Sequence, residues 1–363
     1  MTTTSPIPHR VALLSSGPPI SLKVLYCLQR LGCVTDLIDI GAPSPARHSR
    51  YRRGYVRVPM LSADEGQGSQ DAFAESLDTY IRQHGIEGVI GGDIASTGVL
   101  HAVRDRLDEV AVFPTSDAET LQMLDDKWRF QQFLVDHAIP IPQACLLDDP
   151  AQVEAAVDSL RFPLVVKPLF GESGHGIAML KDMAALRAHL RLASRYAKPP
   201  LLLQEYVAGS DADISVLALE GQVICYVLHA RRNGGCTLEF MRNNEALRIA
   251  GQIVKAAQFS GVANIDLRID EATGTVTVLE CNPRFWYTLQ AALWRGVNFV
   301  EQGFRAVSGD MTSVDAPKDG VYHLHGCLLR RMLWHPGRWS GIQPYNLRGL
   351  MQALGDPAPF LRR

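Results

Sequence analysis

Short apolar runs alternate with amphipathic stretches over the first hundred residues. Val11-Ala12-Leu13-Leu14 closes in Ser15-Ser16-Gly17-Pro18-Pro19, and Leu22, Leu25, Leu28 and Leu31 then predict a helix that Gly32 stops. Leu37-Ile38-Asp39-Ile40, Gly88-Val89-Ile90-Gly91-Gly92 and Val110-Ala111-Val112-Phe113 read as further strands. Strands separated by helices predict a parallel sheet of Rossmann type. The turn after the first strand lacks GxGxxG and is read as holding part of a small anionic substrate. Pro114 to Ser116 marks a boundary. Beyond it Asp117 caps a predicted helix running to about His137, with Leu121, Leu124, Trp128 and Leu134 on its apolar side and Lys127 beside them. Ile139-Pro140-Ile141-Pro142 ends that helix. From about Ala151 to Ala306 helices mix with antiparallel strands. The stretch from Ser308 to Arg363, with Trp334, Trp339 and Phe360 among many Pro and Gly, reads as an ordered appendage.

Three segments in the middle carry chemistry. Phe162-Pro163-Leu164-Val165-Val166-Lys167-Pro168 is an apolar strand ending in a lysine, and an ammonium there needs a partner because its desolvation is expensive. Gly171, Gly174 and Gly176 follow, with Ser173 between them. Glycines let backbone amides approach phosphate oxygens, and Ser173 can add a hydroxyl. The lysine precedes the glycines, so this is not a Walker A loop. Leu201-Leu202-Leu203-Gln204-Glu205-Tyr206-Val207 breaks at a polar hinge whose backbone can meet an adenine edge. Asp211 and Asp213 beyond it can accept from ribose hydroxyls. Asn264-Ile265-Asp266-Leu267 and Val278-Leu279-Glu280-Cys281-Asn282 form the third segment, a hairpin about Asp270–Gly274. With a five-residue loop, Asp266 stands diagonal to Glu280 and shares its face with Asn282, while Leu279 and Cys281 take the other face. A one-residue change in the loop breaks this parity. Two carboxylates and an amide suit magnesium, which completes its shell with water and phosphates; a solvated acidic hairpin satisfies the same pattern.

Length and composition bound the rest. The 363 residues suffice for two or three domains with sizeable cores. A net charge of −2 gives no footprint for nucleic acid, and no apolar run is long enough for a membrane span, so neither partner is expected. Seven cysteines without CxxC or zinc-ligand spacing predict reduced thiols and a cytoplasmic protein.

The order of these features is more specific than any one of them. A helix lysine, a strand lysine before a glycine loop, a Glu-Tyr-Val hinge and an Asp…Glu-x-Asn hairpin resemble the ATP-grasp superfamily over about residues 10 to 310. Pro283-Arg284-Phe285-Trp286 and the stretch from Ala291 through Gly296-Val297-Asn298 resemble its carboxylate–amine ligase branch, as do Ser49-Arg50-Tyr51 and Val58-Pro59. Tyr287-Thr288 departs from the usual Gly-Ser of that branch. The resemblance implies an α/β and α+β chain: a Rossmann-like preATP-grasp domain (1–113), a two-subdomain ATP-grasp fold (114–307, dividing at about 205/206) and the appendage (308–363). It implies ATP and two magnesium ions, with manganese as a substitute. Lys127 and Lys167 become phosphate-contacting lysines, Gly171, Ser173, Gly174 and Gly176 the mobile loop, and Glu205, Tyr206 and Val207 the adenine hinge. Asp213, in preference to Asp211, becomes the ribose carboxylate, and Asp266, Glu280 and Asn282 the metal ligands. Arg284, with Lys167 and Arg231, would face the transferred phosphoryl group.

The activity so implied is an ADP-forming ligase joining a carboxylate to an amine through an acyl phosphate, with amino acids or other small carboxylates as expected substrates and a homodimer as a possible assembly. No residue identifies itself as base for the amine. A carboxylase or carbamoyl-phosphate-type enzyme, a non-catalytic nucleotide sensor and a nicotinamide oxidoreductase are the alternatives.

Overall fold

The structure, a computed structural model, describes residues 6–58, 66–107, 110–171, 174–312, 314–317, 319–334 and 342–361. The N-terminal part runs β1 (Arg10–Ser15), α1 (Ile20–Arg30), β2 (Val34–Asp39), β3 (Arg52–Arg57), α2 (Gly66–His84), β4 (Gly88–Gly91), α3 (Ile94–Val103) and β5 (Ala111–Val112). Its strands lie in the order β3-β2-β1-β4-β5, every neighbour parallel. The Rossmann-type expectation holds, and Gly32 at φ +77° ends the first helix as its position predicted. The turn after β1 differs from expectation. The Ser16 amide and hydroxyl both donate to Asp93, each at 2.8 Å, so this turn already carries a carboxylate and would repel an anion.

Past the boundary, α4 (Ala118–Asp125) and α5 (Lys127–Asp136) replace the single helix expected from Asp117. Asp126 breaks it. Its backbone is extended and its side chain accepts from the Trp128 and Arg129 amides at 2.8 and 3.0 Å, a short polar side chain competing with the helix for backbone donors. Lys127 therefore opens α5 instead of lying along a continuous surface.

A small antiparallel sheet follows, built from β6 (Ala144–Leu147), β7 (Leu164–Pro168), β8 (Ala178–Leu180) and β9 (Leu201–Glu205) in the order β6-β9-β7-β8, with α6 (Val153–Val157) and α7 (Met183–Leu190). The large sheet contains β10 (Ser210–Leu219), β11 (Gln222–Arg232), β12 (Thr237–Met241), β13 (Gly261–Ile269) and β14 (Val276–Asn282), with α8 (Asn244–Ala256) between β12 and β13. Alternation along β10 sends Ile214, Val216 and Ala218 into a core shared with α5 and α8. Leu217, Leu238 and Phe240 face the opposite way, into a core shared with α1 and with α10 (Phe299–Val307), which follows α9 (Leu289–Trp294).

The C-terminal segment is a continuation of this body. β15 (Gly320–His323) adds to β12, completing the order β14-β13-β10-β11-β12-β15. α11 (His325–Trp334), α12 (Pro344–Leu354) and α13 (Ala358–Leu361) come last. Asp356 accepts from the hydroxyls of Ser49 and Tyr26 and from the Arg50 amide, which pins the tail to the N-terminal domain through the predicted Ser49-Arg50-Tyr51 stretch. A disulfide joins Cys236 to Cys327 across 91 residues, correcting the expectation that all seven thiols are reduced. The other five are free. No helix among the described residues is long and apolar enough to cross a membrane; Trp339, read as part of the appendage, and Pro59 lie outside the described residues.

Candidate active site

One face of the large sheet is apolar at one end and polar at the other, and the polar end is the candidate site. Cross-strand register places Glu280, Asp266, Asp213 and His229 in a row over β14, β13, β10 and β11. Asn282, Asn264 and Ser215 form a second row beside it. The expected hairpin geometry is corrected in its detail. The turn spans six residues, because Ile269 pairs with Val276, and a regular ladder would then set Asp266 opposite Leu279. A bulge between Asp266 and Leu267 shifts the register, so Asp266 pairs directly with Glu280 and parity is restored. The same bulge turns Leu279 into the cavity wall, while Cys281 is buried in the core as expected.

The rows are tightly bonded. Arg231 donates to both oxygens of Asp213, at 2.7 and 2.8 Å, and His229 Nε2 lies 3.2 Å from the same carboxylate. Burial alone would raise the Asp213 carboxyl, but His229 and Arg231 hold it well below the usual range. Asp266 shows the reverse: burial, then Asp213 and Glu280 beside it, push its carboxyl up. Asn264 donates to Asp266 Oδ1 at 2.8 Å and accepts from Ser215 at 2.7 Å. Arg284 donates to Asn282 Oδ1 at 3.0 Å and to the Phe285 carbonyl at 3.0 Å. A carboxyl held up by crowded like charges, with an acid and an amide oxygen beside it, is a donor set that a hard divalent cation would relieve.

The small sheet and α5 each supply a lysine. Lys167, at the end of β7, is buried and donates to Gln204 Oε1 at 2.8 Å; Gln204 in turn donates to Gln131 at 3.2 Å. Burial lowers the Lys167 ammonium pKa, with Glu280 acting against that shift. Lys127 Nζ lies 3.7 Å from Glu280 Oε2 and 3.4 Å from the Gly171 carbonyl, so the break at Asp126 aims it between the glycine segment and the acidic hairpin. Gly171, Gly174 and Gly176 all take positive φ, and a Cβ on Gly176 would lie 2.6 Å from that of Tyr196. Ser173 lies outside the described residues.

A cavity of about 650 Å³ opens between the two sheets. Of the residues singled out from sequence, Lys167, Gly174, Glu205, Tyr206, Val207, Arg231, Asp266, Glu280, Asn282 and Arg284 line it. Lys127, Gly171 and Gly176 flank it at the glycine segment. Asp213 does not reach its surface, being held beneath Arg231, whereas Asp211 does, 3.4 Å from Arg268. The Glu205 carboxylate is engaged by the Arg161 amide and guanidinium. Arg268, Asn264 and Leu279 also line the cavity and escaped sequence reading. Polar residues at every second position of β10 and β13 were the available signal for Asn264, and Arg268 continues that same face; no pattern betrays the bulge that exposes Leu279.

Residues 197–325 match the family model described as ATP-grasp in the biosynthetic pathway with Ter operon. Over that segment the chain is similar to ATP-grasp proteins. The whole chain is 25% identical, along 98% of its length, to 88% of the formate-dependent phosphoribosylglycinamide formyltransferase of Synechococcus sp. (strain RCC307). It is 27% identical to the D-alanine--D-alanine ligase of Stutzerimonas stutzeri (strain A1501), over 75% of the chain and 83% of that protein. Its fold is similar to that of the N5-carboxyaminoimidazole synthetase from Staphylococcus aureus complexed with ADP: TM-score 0.68, 14% identity, 90% of this chain and 86% of the other. Carbamoyl phosphate synthase large chains are matched over less than half of their own length.

Proposed function

We propose that the chain is an ATP-dependent, ADP-forming ligase that joins a carboxylate to an amine, with an amino acid or another small carboxylate as acceptor of the phosphoryl group. The observation that carries this reading is that Lys167 of the small sheet meets Glu280 of the large sheet and Arg284 just beyond it at one cavity, with Lys127 of α5 flanking it 3.7 Å from Glu280. Lys127 and Lys167 would contact the phosphates, with Gly171, Ser173, Gly174 and Gly176 closing over them. The Glu205 and Tyr206 amides already donate to the Gln143 and Pro163 carbonyls, which makes Val207 the first hinge residue for an adenine edge. Asp211 is better placed than Asp213 for the ribose hydroxyls, and Leu279 offers the base an apolar surface.

Asp266, Glu280 and Asn282 would hold one or two magnesium ions, which when bound neutralise charge on the phosphoryl oxygens. A carboxylate oxygen of the substrate attacks the γ-phosphorus and ADP leaves. The amine then attacks the acyl carbon, phosphate leaves, and the amine gives up a proton as the C–N bond forms. Lys167 and Arg284 stabilise the charge that develops on the phosphoryl oxygens, and the glycine segment keeps water from the acyl phosphate. Arg231, gripped by Asp213 at the cavity wall, orients an anionic group of the substrate.

A phosphate-release screen with Mg-ATP over paired carboxylates and amino acids, followed by product mass, tests the reading. An amide product with equimolar ADP and phosphate supports it. Turnover that needs bicarbonate and no amine would place the chain with carboxylating enzymes, and ATP binding without ADP release with nucleotide sensors.

A further inference from the structure

Helix α12 buries two amides and exposes a stripe of apolar side chains. Asn346 and Gln352 are buried beside Leu350: Asn346 accepts from the His323 amide at 2.8 Å, and Gln352 bonds Gln290 and Gln29 at 3.1 Å each. Gly349 lets it lie against Tyr322, whose hydroxyl would be 2.4 Å from a Cβ at that position. Leu347, Met351 and Leu354, at helical spacing i, i+4 and i+7, form the outward stripe. α11 packs beside α12 and adds Leu329, Leu333 and Trp334, the last two 70% and 75% exposed. Leu361 on α13 is 80% exposed. A surface helix normally presents the opposite face to water, and apolar surface gathered on neighbouring helices marks a docking site.

Charge identifies the partner. The overall −2 conceals a strong asymmetry: residues 324–363 hold six arginines, no lysine and one acid, Asp356, a net +5, so the preceding 323 residues carry −7. The Asp356 carboxylate is turned inward to Ser49 and Tyr26. Arg330 and Arg348, on the same two helices as the stripe, are exposed. Two copies meeting through this face would bring arginines against arginines. An anionic phospholipid surface instead neutralises them while the leucines and Trp334 enter the headgroup boundary.

We propose that α11–α13 form a docking surface for an anionic phospholipid bilayer, which holds the protein at the membrane surface without crossing it. This revises the expectation, drawn from whole-chain charge, that no membrane partner exists, and it stands independently of the ligase reading.

The test is co-flotation of the full chain with phosphatidylcholine vesicles, with and without phosphatidylglycerol, alongside light scattering for oligomeric state. Binding to the phosphatidylglycerol vesicles, weakened by salt, is expected. Arg330→Gln with Arg348→Gln should weaken it about tenfold or more. Leu333→Glu with Met351→Glu should abolish it, with melting temperature and any ATP turnover in solution unchanged. Absence of flotation overturns the proposal, as does equal binding to neutral vesicles. So does a dimer that Leu333→Glu with Met351→Glu dissociates in a protein that never floats; that result assigns the face to a second copy.

Discussion

Glu280 stands where opposite charges meet, directly across from Asp266 and 3.7 Å from Lys127. Removing its carboxylate leaves that ammonium without its nearest anion and a proposed cation site with one acid. Glu280→Ala is expected to lower ATP turnover at least 100- to 1,000-fold, about 3–4 kcal/mol of lost transition-state stabilisation. A phosphate-release assay at saturating Mg-ATP checks this, and turnover near the wild-type rate would remove the metal-site argument. Lys23 offers a residue-scale prediction of the other kind. It lies away from the cavity, donates to Gln290 Oε1 at 2.9 Å, and burial pushes its pKa down to about 8. The unfolded chain keeps that ammonium near pKa 10.4. Burying the charge therefore destabilises the fold below pH 8, and the penalty fades as pH rises from 8 to about 10.4. Lys23→Met should be more stable than wild type at pH 7, by on the order of 2 kcal/mol given partial solvent access, and so melt higher, with the gap closing across that window. Thermal melts at stepped pH read it directly; a gap that widens with pH refutes the assignment.

At the scale of elements, the hairpin shows how far sequence reasoning reaches. Glu280 and Asn282 share a face by the two-residue period of a strand, and that much follows from spacing alone. Their pairing with Asp266 depends on turn length and on a bulge, neither of which hydrophobic pattern determines. The break at Asp126 is a similar case: an Asp-Asp-Lys run inside a helical pattern carries a latent cap that only competition with tertiary contacts reveals. The Rossmann sheet was legible because β1, β2 and β4 are short apolar runs separated by an obvious helix. The polar row was half legible: Asp266 and Glu280 are adjacent to the motif, whereas His229 and Asn264 join it only through register with β10. Two element-scale predictions follow from these contacts. Leu279→Ala, which trims the cavity wall made by the bulge, should weaken ATP binding about 5- to 20-fold with a small change in maximal rate, as measured by calorimetry and steady-state kinetics. Gly176→Ala forces a side chain into positive φ and against Tyr196, so it should cut turnover more than it cuts melting temperature. Equal losses in both would make Gly176 a folding residue only.

The described part of the C-terminal segment returns to both earlier parts of the chain. β15 completes the large sheet, Asp356 seals against Ser49 and Tyr26, and Cys236–Cys327 ties the turn after β11 to α11. That turn bears directly on the cavity, because Gly235 and Leu324 line it and the Leu324 amide donates to the Cys236 carbonyl at 3.0 Å. A crosslink spanning 91 residues restricts the unfolded chain, a contribution of about 2–4 kcal/mol. A chain of this length turns such a change into a shift of a few degrees in melting temperature. Thiol reductant should therefore lower the melting temperature of the wild type, and Cys236→Ser with Cys327→Ser should melt at that lower value with or without reductant. The five remaining thiols, four of them buried, give the double variant nothing further to lose. Because the hydrogen bonds of β15 to β12 do not depend on the sulfurs, ATP binding by the double variant should stay within about threefold of wild type. A loss of ATP binding far larger than the loss of stability would mean that the crosslink positions the cavity wall itself.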